Sequence, residues 1–297
     1  MSGILPTIGL ALLRWMSHWP LAWLHALGAA LGWLTWLASP SYRRRVRANA
    51  DLAGVSAADR RRSVSEAGRM VGEVPWLWLM PPDGRVLPRV RWQGAEKVDA
   101  AIAAGRGLVL LTPHLGSFEV SARAIVERWG AQQPLTVLYR PARNTFLREL
   151  EETARHRPGL ATAPANLSGV RQMLRALKKG EMVGLLPDQV PPDGQGVWAP
   201  FFGQPAYTMT LAARLVQQTG AAVLVLCCER LPGAAGFEVH LLDLVEPLPA
   251  GNDEAAQVQA ARIVNRTMEA VIARWPHQYL WGYHRYKRPR AAPGTLP

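Results

Sequence analysis

The sequence predicts an α/β protein, with a mostly parallel central sheet flanked by helices and an N-terminal hydrophobic membrane-anchor helix. Three observations predict it. Beyond residue 107, short apolar runs alternate with stretches of helical length, the pattern of parallel strands covered on both faces. Several of those runs end in polar residues, as strands do when a site is assembled at one edge of a sheet. Residues 15–42 contain no Asp, Glu, Lys or Arg, and a helix needs about 20 mostly apolar residues to cross a bilayer.

The apolar segment comes first. Residues 4–13 extend it beyond Arg14, while His18, His25 and Pro20 suit a second arrangement, two shorter helices bent into the interface. A Trp-rich core helix of a soluble protein is a third. A cleaved signal peptide fits poorly, because the apolar region is too long and a basic cluster follows it. That cluster is Arg43, Arg44, Arg45 and Arg47. Such flanks stay cytoplasmic, and each arginine gains about 1 kcal/mol from an anionic leaflet. Residues 1–42 therefore read as a membrane anchor, 43–290 as the main domain and 291–297 as a flexible tail. Gly28 and Gly32 form a weak helix-pairing signal, for which loose packing is the simpler meaning.

Ser56 or Asp59 caps a helix over 56–80, and Pro81, Pro82, Asp83 and Gly84 end it in a turn. A strand over 89–92 and a helix over 96–104 follow. The alternation then runs strand 108–112, helix 118–129, strand 135–139, helix 145–157, helix 169–179, strand 182–186, helix 208–219 and strand 222–228. Strand 237–242 and helix 253–275 complete it. Pro232, Gly233 and Gly236 turn the chain between the last two strands, which predicts a hairpin and one antiparallel edge.

With 297 residues, 49% of them apolar, the chain has ample core and is not disordered as a whole. Lys and Arg number 34 against 22 Asp and Glu, so the formal charge of +12 points to an anionic partner. A nucleic acid would satisfy that charge but leaves the Trp-rich anchor unexplained. The only cysteines are the adjacent Cys227 and Cys228, which project to opposite faces of a strand and suit no disulfide. The chain has no Cys-x-x-Cys and no His-Glu-x-x-His, so a metal site has no support.

His114 follows the run 107–113, and Glu119 follows five residues later. Along one helix those side chains would diverge by about 140°. They meet only if His114 precedes the helix, which Pro113, Gly116 and Ser117 allow. A carboxylate-oriented imidazole is a general base near neutral pH. The N–H groups of Gly116 and Ser117 could then face an oxyanion. Ser117 is either a helix cap or a nucleophile, the latter without a Gly-x-Ser-x-Gly context. Arg140 and Arg143, just past a strand, suit a phosphate or are solvated loop charges. Asp188, followed by Gln189, is a turn cap or holds a substrate hydroxyl. Phe201 and Phe202 wall an apolar channel or pack the core, and Thr208 caps the next helix. Residues 279–288 interleave aromatic and basic side chains, which fits a nucleic-acid grip or a membrane-facing rim.

Together these segments resemble the lysophospholipid acyltransferase superfamily, in particular the bacterial lipid A biosynthesis (lauroyl/myristoyl) acyltransferases. The resemblance covers nearly the whole chain. It rests on the anchor, Arg43 to Asn49, the His114–Glu119 box, Tyr139-Arg140-Pro141, Pro187-Asp188-Gln189, the segment from Pro200 to Thr208, and Trp281 to Lys287. It implies transfer of a fatty acyl chain from acyl carrier protein or acyl-CoA to a hydroxyl of a phosphorylated glycolipid. The setting it implies is the cytoplasmic side of an anionic bacterial inner membrane. His114 would be the base and Glu119 its orienting acid; Arg140 would sit near acceptor phosphate and Asp188 would position the acceptor. Gln189, Gly203, Thr208, Gly116 and Ser117 complete the expected substrate-binding set. No cofactor, metal or nucleic acid is expected.

Overall fold

Leu108–Leu111 (β2) and Met182–Leu185 (β5) carry no charged side chain and are buried on both faces, so they form adjacent strands at the centre of a parallel sheet. The computed structural model of the protein describes residues 4–81, 84–139, 148, 150 and 157–290. Val90–Gln93 (β1), Leu135–Tyr139 (β3), Leu160–Pro164 (β4), Ala222–Arg230 (β8) and Phe237–Leu242 (β9) complete a seven-stranded sheet among the described residues. Its order is β1-β9-β8-β2-β5-β3-β4. Only β8 and β9 pair antiparallel within it. The hairpin at 232–236 therefore forms, but β9 is not the edge, because β1 adds outside it in parallel.

Alternate residues of each strand feed two cores. Val109, Leu111, Val183, Leu185 and Val225 face Leu167–Lys178 (α7), Leu211–Thr219 (α8) and Glu254–Arg274 (α9). Leu108, Leu110, Leu224 and Leu226 face Glu96–Ala103 (α5) and Phe118–Trp129 (α6). Two elements escaped the sequence pattern. One is the edge strand β4. The other is a separate hairpin of Gly196–Phe201 (β6) and Gln204–Met209 (β7), which occupies the ground assigned to the start of a helix at 208. Pro200 and Pro205 mask its strand character, since proline is tolerated only where no ladder donor is needed. The expected helix over 145–157 lies almost wholly outside the described residues, as do Pro82, Asp83 and the tail.

The N-terminal segment breaks at Pro20 into Ile4–Ser17 (α1) and Leu21–Ala38 (α2), followed by Pro40–Leu52 (α3) and Ala57–Trp78 (α4). Among the described residues α2 alone is long and apolar enough to cross a membrane. It packs along α4. The glycine pair expected to mean loose packing does the opposite: a Cβ on Gly28 or Gly32 would strike the Gly68 or Val64 carbonyl, and one on Gly68 or Gly72 would strike α2. With no side chains between them, the two backbones touch. Gly68→Val should therefore cost roughly 1–3 kcal/mol by overpacking, read as a lower melting temperature of the detergent-solubilised protein; an unchanged melt would contradict the contact.

Candidate active site

The carboxyl edge of the sheet builds the site. Because β2 and β5 run parallel with Leu111 opposite Leu185, the residues three positions beyond each leave the sheet side by side. These are His114 and Asp188. The Asp188 carboxylate accepts His114 Nδ1–H at 2.7 Å through Oδ1 and the His114 backbone N–H at 2.9 Å through Oδ2. Gln189 Nε2 lies 3.0 Å from His114 Nε2, and the Phe118 ring meets the imidazole edge-on at 5.0 Å. Both ring nitrogens thus have partners, and neither is Glu119. The expected His114–Glu119 pairing is corrected to His114–Asp188. The physical reason is that Glu119, in the first turn of α6, points into an apolar slot beside Phe118, Arg123 and Arg157.

Asp188 is buried, which alone would raise its pKa. The adjacent His114, the hydrogen bonds it donates, and Arg285 outweigh burial and hold the carboxyl below its usual range. An ionised Asp188 keeps the proton on Nδ1, so Nε2 carries the lone pair and accepts from the Gln189 amide. The pKa of the buried Tyr279 hydroxyl is pushed well above the ordinary value by burial and by the Asp188 charge nearby. Arg285, buried nearby, donates to the Tyr207 carbonyl at 2.7 Å and to Thr208 Oγ1 at 2.8 Å. Of residues 279–288, Tyr279, Trp281 and Arg285 are buried behind the dyad, while His284 and Arg288 are exposed.

The loop 114–117 is fastened on all sides. The Gly116 N–H donates to the Gln278 carbonyl at 3.0 Å and the Ser117 N–H to the Cys228 carbonyl at 2.8 Å. Both N–H groups are spent, so the expected oxyanion donors at Gly116 and Ser117 are not available. Gly116 adopts φ +60°, and a Cβ there would strike the Cys228 carbonyl, so only glycine fits. Its own carbonyl accepts from Arg230 Nη2 at 3.3 Å. Arg230, buried at the end of β8, is held by Glu66 and Glu73 of α4, and Glu73 in turn reaches His25 of α2 at 2.9 Å. The Ser117 hydroxyl is buried and has no hydrogen-bond partner. A serine nucleophile needs access and a base, so the nucleophile reading of Ser117 fails.

Two further expectations move. Gly203, with φ +74°, and Phe202, with φ +46°, form the two-residue turn of the β6–β7 hairpin, a conformation in which both central residues take positive φ. Thr208 is fully buried among Ala206, Asn265 and Arg285 and caps no helix, since α8 begins at Leu211. Neither lines a cavity at His114. Arg140 and Arg143 lie outside the described residues.

His114 lines one apolar space, and a second lies beyond Phe118, whose ring meets the imidazole. One, of about 370 Å³, is lined by His114, Asp188, Gln189, Tyr279 and Tyr283 and by Leu31 and Thr35 of α2 and Val71 of α4. The other is a narrow slot of about 100 Å³ between the sheet and α6, running past Thr112, Phe118, Val137, Gly184 and Leu226. Arg230 carries no sequence signal, whereas Tyr279 and Arg285 fall in the aromatic–basic segment 279–288 and Asp188 is marked both by its place at a strand end and by the resemblance.

Residues 3–288 match the profile of a family described as bacterial lipid A biosynthesis acyltransferase. The chain is similar to the lipid A biosynthesis palmitoleoyltransferase of Escherichia coli K12, 29% identical over 239 residues, or 78% of this chain and 74% of that protein. It is 27% identical over 298 residues to the lipid A biosynthesis lauroyltransferase of the same bacterium, covering 96% of this chain and 92% of the other. A phosphatidylinositol mannoside acyltransferase of Mycobacterium tuberculosis is 28% identical over 152 residues, 50% of this chain and 46% of that protein.

Proposed function

This chain belongs to the bacterial lipid A biosynthesis acyltransferase family, and from that premise we propose that it moves a fatty acyl chain from an acyl carrier protein or CoA thioester to a hydroxyl of a phosphorylated glycolipid such as a lipid A precursor. The observation that carries this reading is one imidazole, fixed at Nδ1 by a buried carboxylate, that lines one apolar space and touches Phe118 at the mouth of a second. The acceptor hydroxyl takes the place of the Gln189 amide at His114 Nε2 and gives its proton there. Its oxygen attacks the thioester carbonyl carbon. When the tetrahedral intermediate collapses, the new C–O bond stays, the C–S bond breaks, and the imidazolium returns the proton to the departing sulfur. The displaced Gln189 carboxamide is left beside Nε2 as a donor for the oxyanion.

The larger space beside α2 suits the acceptor lipid, and the slot suits the acyl chain. Gly184 forms part of the slot wall, and a Cβ there would come within 3.2 Å of Val137 Cγ1. Gly184→Leu should thus shift donor preference to shorter chains, each excluded methylene being worth roughly 1–3 kcal/mol; competition between thioesters of different length, scored by product mass, would reveal an unaltered preference if the chain lies elsewhere. Residues 1–42 hold the enzyme on the cytoplasmic side of the inner membrane, a reading supported by exposed Trp23, Leu34 and Leu37 and by the arginines of α3. The direct test incubates the full-length enzyme with lauroyl-acyl carrier protein or lauroyl-CoA and a lipid A precursor. A gain of one lauroyl chain on the glycolipid supports the proposal, and no gain with either donor overturns it.

A further inference from the structure

The inward face of α2, at Leu21, Leu24, His25, Gly28 and Gly32, is buried against α4, and contact runs backbone to backbone from Leu24 to Gly32. Over the same length α4 carries Glu66, Arg69 and Glu73. A bilayer core tolerates such charges poorly, so α2 cannot cross the membrane in this packing without drawing α4 in with it. The outward face of α2 is apolar, with Trp23, Leu31, Trp33, Leu34 and Leu37 exposed, apart from Thr35, whose hydroxyl donates to the Leu31 carbonyl. Trp15, Trp19 and Trp23 meet edge to face across the Pro20 break and continue that surface onto α1. Arg44 and Arg47, both exposed, stand just past its far end on α3. One apolar face, a tryptophan row and flanking arginines are what a helix lying in an anionic headgroup layer presents. The same surface also reaches the site. Leu31 of α2 and Val71 of α4 are exposed, and both line the space that opens onto His114.

We propose that α1 and α2 lie along the surface of an anionic bilayer rather than through it, with the outward face of α2 sunk to acyl-chain depth so that a lipid enters the His114 space sideways between Leu31 and Val71. The sideways entry rests on the acyl-transfer reading; the docking does not. A lipid arriving this way keeps its chains in apolar surroundings while its hydroxyl moves toward Nε2.

Two measurements on the full chain test this. In the first, Ser2→Cys is probed with a membrane-impermeant maleimide in intact spheroplasts and after lysis, the native Cys227 and Cys228 being buried. Surface docking predicts labelling only after lysis; labelling in intact spheroplasts means α2 spans, and overturns the proposal. In the second, Leu34→Glu/Leu37→Glu is floated with vesicles of phosphatidylethanolamine and phosphatidylglycerol. Vesicle binding should fall about tenfold or more, since charged groups at this depth oppose insertion, with the melting temperature within a few degrees of wild type. Undiminished flotation overturns the docking face. Because neither readout needs turnover, an enzyme that docks as expected but transfers no acyl chain would refute the proposed activity alone. For the entry, Val71→Trp should raise the KM for vesicle-borne acceptor at least fivefold and leave the donor KM within twofold; a rise in donor KM alone rules out entry at this gap.

Discussion

His114→Ala should lower the turnover of acyl transfer by about 10²–10⁴-fold, the usual contribution of a positioned general base. The substitution removes the lone pair at Nε2 that receives the acceptor proton and leaves the Asp188 carboxylate the backbone N–H of residue 114 in place of two donors. Binding should change little, because the apolar walls of both spaces remain, so the loss belongs to kcat rather than to KM. A buried carboxylate that loses a charge-assisted partner also costs stability, on the order of 1–3 kcal/mol. A melting curve run beside the kinetics separates the two effects. Near wild-type turnover in a folded His114→Ala protein would mean that the proton goes elsewhere and that the mechanism is wrong.

Asp188→Asn should cost a comparable factor, about 10²–10⁴ in kcat, for a different reason. An asparagine fits the same volume. Its carbonyl can still accept the His114 backbone N–H, which turns its NH₂ toward Nδ1 and obliges Nδ1 to accept. The proton then sits on Nε2, and the base is in the wrong tautomer for the acceptor. The pH dependence of stability offers a second readout. The folded carboxyl of Asp188 is held below its ordinary value, so its stabilising contribution is complete above the unfolded pKa of about 3.9 and is lost as pH falls through the lower folded value. The stability gap between wild type and Asp188→Asn should accordingly be full near neutrality and close in strong acid. A gap that widens in acid, or an Asp188→Asn enzyme with wild-type turnover, would remove Asp188 from the dyad.

Much of the architecture is legible in local sequence because periodicity and turn residues are local properties. The helix at 118–129 and the strands at 135–139 and 237–242 agree residue for residue with the pattern. Where the pattern failed, the information was not local. The β6–β7 hairpin is stabilised by Asn265 and Arg285, distant in sequence, and its prolines argue against a strand. The glycines of α2 looked like weak packing until Gly68 and Gly72 of α4 supplied the opposing surface.

The candidate site divides along the same line. By itself the sequence determined that His114 ends a buried strand ahead of a helix, that Asp188 and Gln189 end another, and that an apolar, arginine-flanked segment opens the chain. Only the tertiary structure decided which acid meets the imidazole. Glu119 is the near neighbour along the chain, yet Asp188, 74 residues away, is the near neighbour in space. Strand order is responsible: β5 inserts beside β2 and matches Leu111 to Leu185, and nothing in the local period of either strand specifies that adjacency. The loop N–H groups lost their expected role in the same way, because backbone carbonyls from Cys228 and Gln278, invisible in any side-chain motif, had already claimed them.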